Sequence, residues 1–107
     1  MENGQEILIQ TPSILLDACV LHQLAKKDSY GYELTQSLQE YLGISESTLY
    51  PIVRRLQNTN CLETYDVPHN GRNRRYYKIT KVGEVRLKSM HTAWQIYKTK
   101  IDILLEA

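Results

Sequence analysis

The segment from Ser45 to Leu56 places hydrogen-bonding side chains opposite an apolar stripe. Four aliphatic residues fall at the i, i+3, i+4, i+7 spacing of one helical face: Leu49, Ile52, Val53 and Leu56. The residues between them carry groups that bond to phosphates or base edges of DNA: Ser47, Thr48, Tyr50, Arg54 and Arg55. We therefore expect a helix that contacts the major groove or its flanking phosphates and uses Arg54 as a backbone anchor. Taken alone, the segment fits a surface helix with two solvated arginines equally well.

Two residues bear on where this helix begins. Ser45 is predicted as its N-cap, because the hydroxyl can accept a backbone N–H of the first turn. Pro51 would disrupt a helix interior, since proline removes one hydrogen bond and crowds the carbonyl four residues back. If the helix begins at Glu46 or Ser47, Pro51 lies only just past the first turn and few bonds are lost.

A basic hairpin is predicted about twenty residues downstream. Leu62 to Val67 and Arg74 to Thr80 are rich in Tyr, Thr, Val and Ile, as strands prefer, and Asn70-Gly71 between them is a strong turn signal. Three arginines lie at or near the tip: Arg72, Arg74 and Arg75. They suit phosphate contacts, with one arginine entering a narrow minor groove. The alternative is a solvated hairpin edge whose charge prevents aggregation. A helix followed by such a hairpin is typical of a winged helix-turn-helix.

The distribution of charge supports a nucleic-acid partner. The 107 residues carry 13 Lys and Arg against 12 Asp and Glu, a net charge of only +1. Residues 1–44 hold two basic against six acidic side chains, residues 45–81 hold seven against three, and residues 82–107 hold four against three. The positive excess therefore falls on the predicted helix and hairpin, where a phosphate backbone would need it.

One helix is predicted near the start of the chain. Thr11-Pro12 resembles an N-cap followed by a first-position proline, and the helix that it opens should end near Lys26. This helix is apolar nearly all round, so we expect it to be buried on more than one side. Residues 1–10 are expected to be a flexible N-terminus.

A further helix is predicted from Tyr30 to about Tyr41, capped by Asp28-Ser29. Three leucines at helical spacing should face inward: Leu34, Leu38 and Leu42. Gly43-Ile44 then supplies a tight turn into the helix described first.

A long final helix, capped by Thr80, is predicted from Lys81 to the C-terminus. Six residues on it are spaced 3, 4, 3, 4, 3, as in a heptad seam: Leu87, Met90, Trp94, Tyr97, Ile101 and Leu104. Left exposed, such a seam is a liability, so we expect a second copy to cover it in a twofold homodimer. The alternative is that the seam packs on its own domain. Residues 11–80 would thus form the DNA-binding domain and residues 81–107 the dimerisation helix.

The sequence gives no support for catalysis. His22, His69 and His91 are scattered, with no cysteine or carboxylate at metal-ligand spacing, and no phosphate-binding glycine loop or catalytic triad is evident. We therefore expect no enzyme activity, no metal and no cofactor. Cys19 and Cys61 lie in apolar contexts and are expected to be buried thiols rather than a disulfide or metal pair.

The sequence also favours a cytoplasmic protein without a membrane span. The N-terminus is acidic, with Glu2 and Glu6, and lacks the basic flank and cleavage site of a signal peptide. The apolar run from Ile14 to Leu24 is interrupted by polar residues and is too short to cross a bilayer.

Three motifs, in this order, resemble the PadR family of bacterial transcriptional regulators. They are residues 30–34 (YGYEL), 47–56 (STLYPIVRRL) and 71–80 (GRNRRYYKIT), the last followed by Gly83. The resemblance implies an α+β, mostly α fold: a winged helix-turn-helix with a long C-terminal dimerisation helix. It further implies a dimer that represses promoters at inverted repeats of double-stranded DNA, and it adds Tyr32 to the expected DNA-binding residues.

The length resembles that of the short subgroup of this family, which has one C-terminal dimerisation helix and no separate effector domain. In its multidrug-sensing branch, a tryptophan on this helix stacks on flat aromatic ligands at the dimer centre, and Trp94 occupies the corresponding place. The resemblance therefore implies that Trp94, with Tyr97, binds a planar aromatic effector. A tightly packed Trp94 without a cavity is the alternative, and a winged-helix module for protein–protein contact is the alternative to DNA binding.

Overall fold

A computed structural model describes residues 7–106 of the chain as four helices and a small antiparallel sheet. The elements, in chain order, are α1 (Ser13–Lys26), β1 (Ser29–Tyr30), α2 (Gly31–Leu42), α3 (Glu46–Asn58), β2 (Leu62–His69), β3 (Arg72–Ile79) and α4 (Lys81–Glu106). The sheet has the strand order β1-β3-β2. This is the predicted winged helix-turn-helix with a long C-terminal helix. The predicted flexible N-terminus lies mostly outside the described residues, and residues 7–10 are exposed without helix or strand.

The core lies where α1, α2, α3 and the base of the sheet meet. Its buried aliphatic side chains come from every helix and from β2: Leu16, Val20, Leu21, Leu24, Leu34, Leu38, Leu49, Ile52, Val53, Leu56, Leu62 and Met90. The predicted stripe of α3 is confirmed, because all four of its members are at most 4% exposed. Each helix thus contributes one apolar face to a shared interior.

The first helix differs from its prediction in two ways. Pro12 rather than Thr11 holds the N-cap position, and its carbonyl accepts the N–H groups of Leu15 and Leu16. The expectation of burial on several sides was wrong, since Ile14 is 50% exposed and Cys19 is also exposed. Only one side of α1 meets the core. The apolar residues on its other sides are therefore not buried, although the composition of the helix had predicted that they would be.

Two details correct the prediction for α2 and its surroundings, and a third confirms it. Ser29 and Tyr30 form the short strand β1 beside β3, and Tyr30, which was predicted as the first helical residue, is the N-cap of α2. Leu42, at the end of α2, is 42% exposed, whereas Thr35 is buried and donates its hydroxyl hydrogen to the Gly31 carbonyl. Gly43 adopts a left-handed conformation with φ +68°, which ends the helix as expected.

The hairpin is longer than predicted, but its turn is the expected one. Residue pairs run from Leu62 opposite Ile79 to His69 opposite Arg72, so both strands reach the tip. Asn70 and Gly71 connect them with φ values of +52° and +79°. Positive φ at both central residues is what a type I′ hairpin turn requires, and Asn-Gly supplies it at low cost.

The final helix starts against the core and leaves it after about three turns. The Thr80 hydroxyl accepts the N–H of Gly83, as predicted for the cap, and donates to the Asn60 carbonyl. Met90 is buried and Leu87 packs on the core, so the first part of the predicted seam belongs to this chain's own interior. Leu104, in contrast, is 73% exposed. Within residues 7–106 no helix is long and apolar enough to cross a membrane.

Candidate nucleic-acid interface

The exposed face of α3 carries the side chains that were predicted to contact DNA. Ser47, Thr48, Tyr50 and Arg54 are all exposed, opposite the buried stripe. Because the stripe fixes the rotation of the helix on the core, these four side chains share the solvent side. The arrangement offers two hydroxyls, a phenol and a guanidinium to a ligand that approaches α3.

The start of α3 is held by hydroxyl contacts rather than by the predicted cap bond. Ser45 does occupy the N-cap position, but its hydroxyl lies 2.9 Å from that of Ser47 and 3.3 Å from that of Thr48 instead of accepting a backbone N–H. The Ser45 carbonyl accepts the backbone N–H groups of Thr48 and Leu49. Three hydroxyls therefore lie side by side at the positive end of the helix dipole, a favourable place for a phosphate.

Tyr50 presents a neutral hydrogen-bond donor from the middle of this surface. Its hydroxyl donates to Glu46 at 3.3 Å, one turn earlier, and the side chain is 47% exposed. The nearby Glu46 carboxylate raises the pKa of the Tyr50 phenol, because a second negative charge beside it is unfavourable. The phenol thus stays protonated at neutral pH and can donate to a base edge or phosphate.

Arg55 differs from its neighbour Arg54, although the sequence suggested that both could contact DNA. The Arg55 guanidinium pairs with the buried carboxylate of Asp17 on α1 and donates to the Ser13 hydroxyl at 3.3 Å. Arg55 is therefore engaged in joining α3 to α1. Its partner lies 38 residues away in the sequence, and no local pattern could have indicated it.

The three arginines of the hairpin have different surroundings. Arg72 lies exposed beside the turn, next to Asn70 and Gly71. Arg75 is exposed and lies 3.4 Å from the Asp66 carboxylate opposite it, a surface pair of small energetic value. Arg74 is half-buried, with its guanidinium carbon 4.1 Å from the centre of the Tyr30 ring. The tip is therefore basic, but only part of its charge faces solvent freely.

Two other predicted sites lie on α2 and α4. Tyr32 is 60% exposed at the start of α2, where its hydroxyl accepts a hydrogen bond from Gln36 at 3.3 Å. Trp94 is half-buried on α4, and its ring centre lies 6.4 Å from that of Tyr97, which is 55% exposed. An indole and a phenol at this separation could stack on a flat ligand.

A model of the transcriptional regulator PadR-like family matches residues 20–89 of the chain. This span holds α2, α3, the hairpin and the first turns of α4. The chain belongs to the PadR-like family. The predicted resemblance is thus confirmed, and the chain is a DNA-binding transcriptional regulator of this family. Transcriptional regulators are, as a class, not enzymes, and residues 7–106 contain no cluster of three or more His, Cys, Asp or Glu that could hold a metal ion.

The chain is also similar to solved structures and to a curated relative. The crystal structure of smu.1704 from Streptococcus mutans UA159 matches with a TM-score of 0.86 and 37% identity, covering 94% of this chain and 95% of that one. A PadR-like transcriptional regulator from Bacillus cereus strain ATCC 14579 matches with a TM-score of 0.79 and 29% identity, covering 87% and 93%. Transcriptional regulator Rv3488 from Mycobacterium tuberculosis is 35% identical over 69 residues, 64% of each chain.

Proposed function

We propose that this PadR-like protein is a homodimeric repressor that binds an inverted repeat of double-stranded DNA through α3 and the hairpin. The observation that carries the proposal is the exposed face of α3, where Ser47, Thr48, Tyr50 and Arg54 project from a helix fixed on the core. Serine, threonine and tyrosine hydroxyls suit base edges and phosphates, and an exposed arginine suits the backbone. Arg72 and Arg75 extend the positive surface along the hairpin.

The homodimer is proposed from the part of α4 that leaves the core. Beyond Met90, the seam continues through Trp94, Tyr97, Ile101 and Leu104, of which the last is 73% exposed. Ile103 and Leu105 beside it are 64% and 81% exposed. Exposure of so many apolar side chains to water is unfavourable unless another apolar surface covers them. The α4 helix of a second copy offers such a surface with the same heptad spacing. Two copies related by a twofold axis would present two α3 helices about 34 Å apart, or a multiple of that distance.

Release by a small aromatic effector is the third part of the proposal. Trp94 lies near the centre of the seam, so twofold symmetry would bring the two copies of this indole close together. A flat ligand between them would stack on both rings and alter the angle between the two α4 helices. Operator affinity would fall if the ligand binds the altered dimer more tightly than the DNA-bound one. The role requires no cofactor, and it belongs in the cytoplasm, where bacterial DNA lies.

Selection of duplexes from a random pool by the full chain tests the proposal. We expect the selected sequences to share an inverted repeat, and light scattering after gel filtration to give twice the mass of one chain. Leu104→Glu, which puts a charge into the seam, should give a monomer that no longer protects the repeat. Thr99→Glu places the same charge at an exposed position opposite the seam and should remain dimeric. Selected sequences without symmetry, or a Leu104→Glu monomer that protects the whole repeat, would contradict the model.

A further inference from the structure

One face of the sheet carries an aromatic row that crosses all three strands. Tyr30 on β1 lies opposite Tyr76 on β3, and Tyr76 lies opposite Tyr65 on β2. The Tyr65 and Tyr76 rings are stacked, with centres 5.5 Å apart and planes 11° apart, and Tyr30 meets Tyr76 edge to face at 5.6 Å. Both geometries are favoured for aromatic pairs, so the row ties β1 to the hairpin.

Both ends of this row are held by charged residues. At one end the Tyr65 hydroxyl donates to the Asp28 carboxylate at 2.7 Å, and this hydrogen bond raises the pKa of Tyr65 to about 12. At the other end the Arg74 guanidinium lies over the Tyr30 ring at 4.1 Å. We name these five residues the aromatic clasp: Asp28, Tyr30, Tyr65, Arg74 and Tyr76.

The aromatic clasp joins the hairpin to the start of α2. Tyr30 is the N-cap residue of α2, and its backbone N–H donates to the Glu33 carboxylate at 3.2 Å. Glu33 in turn pairs with Lys27 at 3.2 Å. A side chain of β3 that holds the Tyr30 ring therefore restrains the hairpin relative to the helices that precede α3.

Arg74 and Arg72 therefore differ in their surroundings. Arg74 is half-buried against an aromatic face, whereas Arg72 is exposed at the turn. A guanidinium over a phenol ring gains cation–π attraction, and it would lose that contact on swinging out to a phosphate. The two residues are on the same face of β3, two positions apart, so they form a matched pair of arginines in different environments.

We propose that Arg74 is a positioning residue that sets the orientation of the hairpin through Tyr30, and that Arg72 makes the direct phosphate contact. The proposal rests on the DNA binding proposed above. It assigns the loss of affinity on removing Arg74 to a misplaced hairpin, and the loss on removing Arg72 to a missing charge contact. These two causes differ in their dependence on salt, because only a phosphate contact releases counterions.

The first measurement is the affinity of full-length variants for a fluorescein-labelled duplex carrying the selected operator, between about 50 and 200 mM salt. Arg72→Gln should lower the slope of log affinity against log salt by about one unit. Arg74→Gln and Tyr30→Leu should both weaken binding with the slope unchanged, and the double variant should bind no more weakly than the worse single variant. Tyr30→Phe keeps the ring and should bind like the wild type. If Arg74→Gln lowers the slope as Arg72→Gln does, Arg74 is a phosphate contact and the proposal fails.

A second measurement needs no DNA and separates this proposal from the function on which it rests. In urea unfolding, the effects of Arg74→Gln and Tyr30→Leu on the unfolding constant should not be additive. The constant of the double variant should differ by a factor of about two to five from the value expected by combining the two single effects. Arg72→Gln with Tyr30→Leu should be additive. Additive effects for Arg74 and Tyr30 would overturn the aromatic clasp even if the protein binds its operator. Coupling in a protein that binds no duplex would instead refute the proposed function and leave the aromatic clasp in place.

Discussion

The guanidinium of Arg55 on α3 pairs with the carboxylate of Asp17 on α1, across 38 residues of sequence. Asp17 is 6% exposed, whereas the Arg55 side chain is 46% exposed, so the acid is buried and its partner reaches it from the surface. A buried carboxylate is unfavourable unless it is paired. The pair therefore holds α3, the helix proposed to contact DNA, against α1.

The first prediction concerns the pH dependence of this pair. Burial raises the pKa of Asp17, and the charges of Arg55 and Arg86 and the hydrogen bond from Arg55 oppose that rise only in part. The pKa of Asp17 is therefore higher in the folded state than the value of about 3.9 in the unfolded chain. Below the unfolded pKa, Asp17 contributes its full stabilisation of the folded state. This contribution is lost as pH rises through the folded pKa. We expect the unfolding free energy of the wild type minus that of Asp17→Asn to fall as pH rises, in urea titrations. A difference that grows with pH would show that the ion pair outweighs burial.

A second prediction compares adjacent arginines. Arg55→Ala leaves the Asp17 carboxylate buried without its partner, so we expect a loss of about 1–3 kcal/mol, reduced from the fully buried case because Arg55 is half-exposed. Arg54→Ala, one residue earlier and exposed, should change stability by less than about 0.5 kcal/mol. Adding Asp17→Asn to Arg55→Ala should restore part of the loss. Equal effects of the two arginine variants in urea unfolding would mean that the pair does not hold α3.

A third prediction concerns Gly83 in the first turn of α4. A Cβ atom there would overlap the Cys61 carbonyl oxygen and lie 2.7 Å from Ile79 Cγ1, whereas a Cβ at Gly31 meets nothing within 4 Å. Gly83→Ala must therefore push α4 away from the hairpin base, which should lower the unfolding free energy by about 1–3 kcal/mol. Gly31→Ala, also in a first helical turn, should be neutral or stabilising by up to about 1 kcal/mol. Thermal unfolding of both variants tests this, and an unchanged melting temperature for Gly83→Ala would show that the contact relaxes freely.

The fourth prediction separates recognition from stability on α3. Tyr50→Ala should weaken operator binding by about 1–3 kcal/mol, roughly 5- to 150-fold, because it removes a donor from the exposed face. Its melting temperature should stay close to that of the wild type, since Tyr50 is outside the core. Tyr41→Ala is the control, because Tyr41 is 81% exposed on the last turn of α2, outside α3 and the hairpin. Unchanged affinity of Tyr50→Ala in a gel-shift assay would count against this contact.

Local patterns in the sequence were sufficient to predict α3 and the hairpin, the elements that carry the candidate site. The spacing of Leu49, Ile52, Val53 and Leu56 gave the rotation of α3, and Asn70-Gly71 gave the hairpin turn. Both depend on residues close in sequence, where helical period and turn conformation decide the outcome. Such local patterns are enough to predict the exposed face of α3 and the basic tip, because neither depends on a tertiary contact.

Contacts between distant residues explain what the sequence did not predict. Arg55 and Asp17, or Arg74 and Tyr30, are brought together only by the packing of separate elements. The strand β1 has two residues and forms because β3 lies beside it, so no periodicity could reveal it. The exposure of Cys19 depends likewise on which side of α1 its neighbours cover. Tertiary context decides such features, and an apolar or basic residue type leaves several outcomes open.

The last prediction concerns the proposed effector site. Trp94 is the only tryptophan of the chain, so its fluorescence reports on this position alone. If two copies of Trp94 enclose a flat ligand, stacking and cation–π contacts would contribute roughly 0.5–2 kcal/mol per ring. We expect an acridine dye or a phenolic acid to quench the emission with saturation, and the same compound to lower operator affinity. Trp94→Phe, which keeps an apolar ring in the seam, should remain dimeric but bind the dye more weakly, as measured by dye anisotropy. Quenching that never saturates and matches that of free N-acetyltryptophanamide would make Trp94 a structural residue of the seam.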